Sequence, residues 1–325
     1  MTDGTGAPEY HPDLTRARFM PRTSATRGNR RLLRAVTRIG RRRPPPDGDL
    51  VDLDDGVTVR VQRPEDALTR DAGSRRPAVL HLHGGGLIIG SATQGDALCR
   101  RLADELAAVA ASVDYRMPPE HPYPAPLHDA YAALQWLAEQ PDVDPTRIAV
   151  IGESAGGGLA ASLALIARDR GEIALAGQVL AYPMLDDRTP RDDGPDPRHR
   201  DPDPRALRLW NARSNRLGWG MYLGAGTAVP AATPLDDATL ELAVPARRTD
   251  LSGLPPAWIG VGTLDLFHSE DVEYARRLTA AGVAVELHVI PGAYHGFDAA
   301  EPSAAVSRDF VARQVEALRG MLASH

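Results

Sequence analysis

Beyond Gly48, apolar and polar positions follow two alternating patterns along the chain. Short apolar or alternating runs of strand length are separated by longer segments with apolar residues at helical spacing. The predicted strands are Val57–Val61, Ala78–Leu82, Ala107–Val113, Arg147–Ile151, Leu175–Ala181, Ala257–Val261 and Val283–Ile290. The predicted helices are Gln94–Leu106, Pro126–Glu139, Ala155–Ala167, Ser269–Ala280 and Ala304–Leu322. Strands that alternate with helices predict the α/β class, with a mostly parallel central sheet flanked by helices on both faces.

The alternation stops between Asp186 and about Pro256. This stretch opens with a Pro-, Asp- and Arg-rich piece, DDRTPRDDGPDPRHRDPDP, and continues with helical spacing over Ala206–Leu223. Because insertions of this length usually form lids or binding elements, or are disordered, we expect a cap. Four of its apolar residues either line a pocket or form the cap's own core: Trp210, Trp219, Tyr222 and Leu223.

The N-terminal segment 16–43 carries many Arg and no acidic residue. Its pattern predicts a basic amphipathic helix that is ended by three consecutive prolines, Pro44 to Pro46. We interpret it as a helix that packs its apolar face on the main domain and turns its Arg side chains to water. Membrane-surface binding remains an alternative, as does an organelle transit peptide, which the acidic residues in the preceding segment oppose. The apolar face consists of Leu32, Leu33, Val36 and Ile39.

Composition narrows the class of protein. The chain has 325 residues, of which 43% are hydrophobic and 25% charged, as is typical of a globular protein. Its net charge of −6 does not point to a nucleic-acid partner. A single cysteine, Cys99, which we interpret as a small core residue, excludes an intramolecular disulfide and favours a cytoplasmic location. We expect neither a secretory signal nor stable membrane insertion, since no suitable apolar run is present.

The strongest local motif is Gly152-Glu153-Ser154-Ala155-Gly156, which lies between a predicted strand and a predicted helix. This G-x-S-x-G turn is so tight that side chains at its glycine positions would clash, and it lifts the serine hydroxyl above the sheet. The helix N-terminus then faces developing negative charge. The alternative is a glycine-rich helix start without a nucleophile. The strand-to-helix context favours Ser154 as the nucleophile.

A second motif, His83-Gly84-Gly85-Gly86, directly follows the predicted strand Ala78–Leu82. Backbone N–H groups of a loop without side chains can closely approach an oxyanion, which forms in the transition state of acyl transfer. A phosphate-binding glycine loop and a simple tight turn are the alternatives. A dinucleotide-binding fingerprint would require G-x-G-x-x-G at a helix start, and that pattern is absent here.

A nucleophilic serine requires a base, and the base requires a carboxylate that fixes its tautomer. Of the ten His residues, His295 follows a predicted strand, as Asp265 follows another. The order Ser154, Asp265, His295 is the one expected for a hydrolase of the α/β type. His268 is a weaker candidate base because we expect it on a helix. His81 and His83 lack the further ligands that a metal site needs, so no metal is predicted.

These motifs together resemble those of the bacterial hormone-sensitive-lipase-like esterases. That family is marked by HGGG, a GDSAGG turn, an Asp in a D-x-L/F stretch, a late HGF, and a DYR…PEHPFPA segment. The corresponding residues here are His83–Gly86, Gly152–Gly157, Asp265–Phe267, His295–Phe297, Val113–Arg116 and Pro119–Ala125. The similarity runs from about Val57 to the C-terminus and is weak in the N-terminal arm and in the insertion.

The resemblance implies an α/β-hydrolase fold with a helical cap, and carboxylesterase activity on short- to medium-chain acyl esters without a cofactor. It further implies Gly85, Gly86 and Ala155 as oxyanion donors and a possible homodimer through edge strands. Glu153 departs from the family's Asp, which puts its contacts in doubt more than the chemistry. The predicted organisation is an N-terminal helical cap arm (1–48), a catalytic domain (49–185 and 257–325) and a cap insertion (186–256).

Two other functions remain open at this point. The same triad could hydrolyse an amide or transfer an acyl group, since these reactions differ in the leaving group and in the shape of the cap. A small-molecule receptor on this fold is the non-enzymatic alternative. Receptors of this kind tend to lose the base, and the presence of His295 favours catalysis.

Overall fold

The computed structural model describes residues 9–23, 25–53, 56–65, 75–190, 202–224 and 236–323. Its strands are β1 Gly48–Asp52, β2 Thr58–Gln62, β3 Arg76–Leu82, β4 Val109–Asp114, β5 Val143–Glu153, β6 Leu175–Ala181, β7 Ala257–Leu264 and β8 Val285–Tyr294. Its α-helices are α1 Arg30–Thr37, α2 Asp96–Leu106, α3 Ala125–Ala138, α4 Ala155–Arg170, α5 Ala212–Tyr222, α6 Asp237–Ala243, α7 His268–Ala280, α8 Phe297–Ala300 and α9 Ala305–Ala323. Short 3-10 turns lie at Ala17–Phe19, Ala92–Gly95 and Pro245–Arg247.

One eight-stranded sheet organises these elements in the order β1-β2-β4-β3-β5-β6-β7-β8. All neighbours from β4 to β8 are parallel, whereas β1 and β2 form an antiparallel edge. The predicted mostly parallel α/β sheet is therefore confirmed. Only β1 was not predicted, because its residues are no more than half-buried and carry little apolar pattern.

Helices cover both faces of the sheet, and alternate residues of each strand supply the two cores. On β5, Ile148 and Val150 join the core beneath α3, α4 and α7, whereas Ala149 and Ile151 join the core beneath α2 and α9. Strands buried on both faces have continuous apolar sequences, which explains why the central ones were recognisable. Cys99 is buried in the core beneath α2 and α9, as expected of a small core residue.

The insertion contributes α5, α6 and the turn Pro245–Arg247, which pack near the carboxyl edge of the sheet. Helix α5 is shorter than the predicted segment 206–223. Trp210, Trp219 and Tyr222 belong to a third apolar core with Ala25 of the arm. Most of the Pro-, Asp- and Arg-rich piece of the insertion lies outside the described residues. The domain boundaries given above remain a prediction.

The N-terminal arm contradicts the interpretation of its sequence. Among the described residues of segment 16–43, only Arg30–Thr37 forms an α-helix, and most of its predicted apolar face is turned away from the protein. Of the predicted apolar face, Leu33 alone packs on a core, the one that also contains Trp210. Arg30 and Arg34 are buried, whereas Leu32, Val36 and Ile39 are exposed. The reason is electrostatic, since Arg34 donates hydrogen bonds to the Glu120 carboxylate and, at 3.1 Å, to a backbone carbonyl. Among the described residues, no helix is long and apolar enough to cross a bilayer.

Candidate active site

Ser154 occupies a strained turn between β5 and α4. Its φ of 55° lies in the left-handed region, which a non-glycine residue adopts only when its surroundings enforce it. The glycines on either side permit the turn, because a Cβ on Gly152 would lie 2.3 Å from the Gly156 carbonyl oxygen and one on Gly156 would lie 1.9 Å from that of Leu82. The Ser154 N–H donates to the Ala181 carbonyl at 2.9 Å. The serine is therefore held at the carboxyl ends of β5 and β6.

His295 lies between the hydroxyl and a carboxylate. Its Nε2 is 2.9 Å from Ser154 Oγ, and its Nδ1 is 2.9 Å from Asp265 Oδ2. Asp265 is fully buried, and its other oxygen accepts a hydrogen bond from the Phe267 N–H at 2.9 Å. The structure thus brings together the three residues that the sequence singled out. His268, the other candidate base, begins α7 instead.

Aromatic rings enclose the imidazole of His295. Phe267 and Tyr182 meet it edge-on, with ring centroids 5.2 and 5.0 Å away, and the Trp210 ring lies 6.4 Å away. Tyr182 has a φ of 37° and was missed at the sequence level, because nothing in the strand-end sequence AYPML reveals a left-handed tyrosine. These rings leave the imidazole few orientations besides the one that links Ser154 to Asp265.

The Gly84–Gly86 loop lies beside the serine with two residues in the left-handed region, Gly85 at φ 117° and Gly86 at φ 60°. A Cβ on Gly85 would lie 2.2 Å from the Ile89 carbonyl oxygen, and one on Gly86 would lie 2.0 Å from the Trp210 ring. No acceptor in the described part of the chain takes the N–H of Gly85, Gly86 or Ala155. These N–H groups are therefore available to a bound molecule.

His83 anchors the glycine loop rather than acting in it. Its Nδ1 donates to the Gly84 carbonyl at 2.8 Å, and its ring stacks on Tyr115 with centroids 4.2 Å apart. The Tyr115 hydroxyl in turn donates to the His83 carbonyl at 2.7 Å. Burial lowers the pKa of His83 to about 4, so the ring is neutral around pH 7.

Glu153, the departure from the family pattern, contacts a second buried histidine. Its carboxylate oxygens lie 3.0 and 3.1 Å from His81 Nε2, and His81 Nδ1 lies 2.8 Å from Ser112 Oγ. These hydrogen bonds link the end of β5, just before Ser154, to β3 and β4. The longer side chain of Glu153 therefore has a defined partner, His81.

A cavity of about 690 Å³ opens onto the serine and the histidine. Ile89, Leu98, Leu209 and Trp210 supply apolar walls, so Trp210 both lines the cavity and belongs to the third apolar core. Asp298 also lines the cavity and accepts a hydrogen bond from the Tyr182 hydroxyl at 2.7 Å. Burial raises the pKa of Asp298 to about 6.

Within the described ranges, no cluster of three or more His, Cys, Asp or Glu side chains could hold a metal ion. His81 and His83 each have the other partners described above. The absence of a cofactor stays a prediction.

Comparison with known proteins matches residues 79–299, more than half of the chain, to the family model described as alpha/beta hydrolase fold. The chain is 38% identical to Carboxylesterase NlhH of Mycobacterium tuberculosis over 255 residues, which are 75% of this chain and 72% of the relative. It is 35% identical to the Ethyl acetate hydrolase of Pseudomonas putida over 254 residues, with the same coverage.

Solved structures agree with these relatives. The structure titled Bacterial Heroin Esterase superposes with a TM-score of 0.79 at 35% identity, covering 96% of this chain and 98% of that one. Esterase LipW from Mycobacterium marinum gives a TM-score of 0.78 at 32% identity, covering 97% and 98%. Since sequence and structure agree over most of its length, the chain belongs to the α/β-hydrolase family and, within it, to the hormone-sensitive-lipase-like esterases.

Proposed function

We propose that this protein hydrolyses small carboxylic esters with short- to medium-chain acyl groups, using Ser154 as the nucleophile, His295 as the general base and Asp265 as the orienting carboxylate. The observation that carries the proposal is the pair of 2.9 Å contacts joining Asp265 to His295 and His295 to Ser154. Relatives named carboxylesterase and ethyl acetate hydrolase support the same reaction class.

The first half of the reaction forms an acyl-enzyme. His295 Nε2 takes the Ser154 proton as Oγ attacks the ester carbonyl carbon. The carbonyl oxygen becomes an oxyanion, which accepts hydrogen bonds from the N–H groups of Gly85, Gly86 and Ala155; one such donor is worth about 2.7–4 kcal/mol. The tetrahedral intermediate formed in this way then collapses. The bond to the alcohol oxygen breaks, and His295 returns the proton to that oxygen.

The second half releases the acid. His295 takes a proton from water, whose oxygen attacks the acyl carbon, and the proton returns to Ser154 Oγ as the acyl bond breaks. Asp265 accepts a hydrogen bond from the Nδ1–H of the imidazole throughout and so keeps the ring oriented. The buried position of Asp265 and the aromatic rings around His295 preserve this alignment between the two halves.

The cavity supports small substrates. Its volume of about 690 Å³ lies within the range of ordinary small-molecule sites, and Leu98 and Trp210 provide apolar contacts for an acyl chain. A series of p-nitrophenyl esters from acetyl through hexanoyl to decanoyl tests this point. We expect kcat/KM to decline by decanoyl, and a maximum at decanoyl would contradict the short- to medium-chain assignment.

Covalent labelling tests the nucleophile itself. A fluorophosphonate should modify the intact protein once, on the peptide that contains Ser154, as measured by mass spectrometry. The Ser154→Ala variant should remain unlabelled, whereas Ser162→Ala, which alters a buried serine of the following helix, should be labelled like the parent protein. Labelling of Ser154→Ala at the parent rate would disprove the assignment.

A further inference from the structure

Within the N-terminal arm, α1 and the turn that follows it present a row of exposed apolar side chains. Leu32, Val36 and Ile39 are 68%, 54% and 74% exposed, and their spacing of four and three residues places them on one side of α1 and its C-terminal turn. Large apolar residues that are exposed singly are ordinary, but a contiguous row of them indicates an interaction surface.

Contacts on the opposite side of α1 hold the helix so that this apolar row faces outward. Arg30 and Arg34 emerge from the opposite side of α1, where Arg34 donates to Glu120 and to the Met117 carbonyl. At the end of the helix, the Gly90 N–H donates to Thr37 Oγ1 at 3.2 Å. Rolling the helix to bury its apolar row would break both Arg34 hydrogen bonds and leave the Met117 carbonyl without this donor.

The segment that carries the row is rich in arginine. Segment 16–43 contains eleven Arg and no acidic residue, so it contributes +11 to a chain with a net charge of −6, and the remainder of the chain carries −17. Four of these Arg, namely Arg30, Arg34, Arg41 and Arg42, pair with carboxylates of the rest of the chain. Arg27, Arg31 and Arg43 are exposed and lie near the row in sequence. A symmetric contact between two copies would bring two such arms together, which their like charges oppose. An apolar row within a basic surface instead complements anionic lipid headgroups over an acyl layer.

We propose that the arm docks this protein reversibly on the surface of an anionic phospholipid bilayer. Leu32, Val36 and Ile39 enter the region between headgroups and acyl chains, while the neighbouring Arg side chains contact lipid phosphates. In this arrangement α1 lies along the bilayer surface and does not cross the bilayer. The proposal concerns binding alone and stands independently of the ester chemistry.

Vesicle flotation with the full-length protein tests the proposal. Vesicles of phosphatidylcholine alone are compared with vesicles that also contain phosphatidylglycerol, at low and at high salt. The parent protein should float with the anionic vesicles only, and less at high salt because screening weakens the charge attraction. The triple variant Leu32→Ser/Val36→Ser/Ile39→Ser should partition at least about tenfold more weakly.

Two further variants make the result specific. Leu287→Ser/Val289→Ser alters the exposed apolar residues of edge strand β8 and should bind like the parent. Arg27→Glu/Arg31→Glu changes two exposed side chains and should remove the preference for anionic vesicles. Turnover of a short p-nitrophenyl ester without vesicles should be unchanged in the arm variants, which shows that they are folded.

The proposal is overturned if the parent protein fails to float with anionic vesicles, or floats equally with neutral ones. Undiminished binding by both arm variants overturns it as well. If sedimentation instead reveals a dimer that the triple serine variant loses, and vesicles bind neither protein, the row contacts a second copy of the chain. Each of these outcomes can occur with the ester hydrolase activity intact.

Discussion

Leu264 of β7 pairs with Tyr294 of β8 in parallel register, so the next residues, Asp265 and His295, leave the sheet side by side. Both strands are longer than the sequence indicated, since they continue past Val261 and Ile290 through an irregularity after Gly262. The 2.9 Å contact between carboxylate and imidazole is therefore a consequence of strand pairing rather than of a flexible loop.

Removing the proposed nucleophile or the proposed orienting carboxylate should lower kcat by different amounts. We expect a loss of about 10⁵–10⁶ for Ser154→Ala and about 10⁴ for Asp265→Asn, because the amide favours the wrong imidazole tautomer. Steady-state kinetics on a p-nitrophenyl ester measures both. Ser162→Ala serves as the matched control, and full activity of Ser154→Ala would rule out the proposed mechanism.

Gly86→Ala should lower kcat by about 10²–10³, because the new Cβ would lie 2.0 Å from the Trp210 ring and displace an N–H group that we propose as an oxyanion donor. Adding Trp210→Leu should recover at least about tenfold, since it removes the colliding ring. Gly282→Ala is the control, because Gly282 also has a positive φ but has no atom within 4 Å of the added Cβ. Equal losses in the single and double variants would show that the collision is not the cause.

His83 should make the protein less stable in mild acid. Its folded pKa of about 4 lies below the ordinary value of 6.5, so as the pH falls below 6.5 the unfolded chain takes up a proton that the folded one does not. The free energy of unfolding should drop by up to about 3 kcal/mol between these two pH values.

The variant His83→Asn isolates this effect, because its amide can still donate to the Gly84 carbonyl but does not titrate. Urea unfolding from pH 7 to pH 4 should show a shallower loss of stability in the variant than in the parent. Parallel pH profiles for the two proteins would mean that His83 does not contribute to acid sensitivity.

Asp271 should make the protein less stable at higher pH. It is fully buried, neither of its oxygens has a partner in the described part of the chain, and burial raises its pKa well above the ordinary value. Its contribution to the free energy of unfolding is therefore fully present below a pH of about 4, the pKa of Asp in the unfolded chain. That contribution is lost as the pH rises above this value. Asp271→Asn should flatten this dependence between pH 4 and pH 8, as measured by urea unfolding. Asp309→Asn, at an exposed position, should not.

The sequence by itself determined the sheet and the position of its chemistry. Buried parallel strands require continuous apolar runs, and their carboxyl ends share one edge, so Ser154, Asp265 and His295 were recognisable from the strands that precede them. The glycines of both loops were recognisable for a similar reason, because only a residue without a side chain fits where backbones approach so closely.

Only the tertiary structure decided which face of α1 meets the protein and what surrounds the imidazole. Helical spacing identifies an apolar side but not its partner, and Arg34 turns inward because Glu120 and the Met117 carbonyl, distant in sequence, receive it. Tyr182 packs on His295 through a left-handed conformation that local sequence does not signal. Contacts between distant segments decide such features, because local preferences are weaker than buried hydrogen bonds and packing.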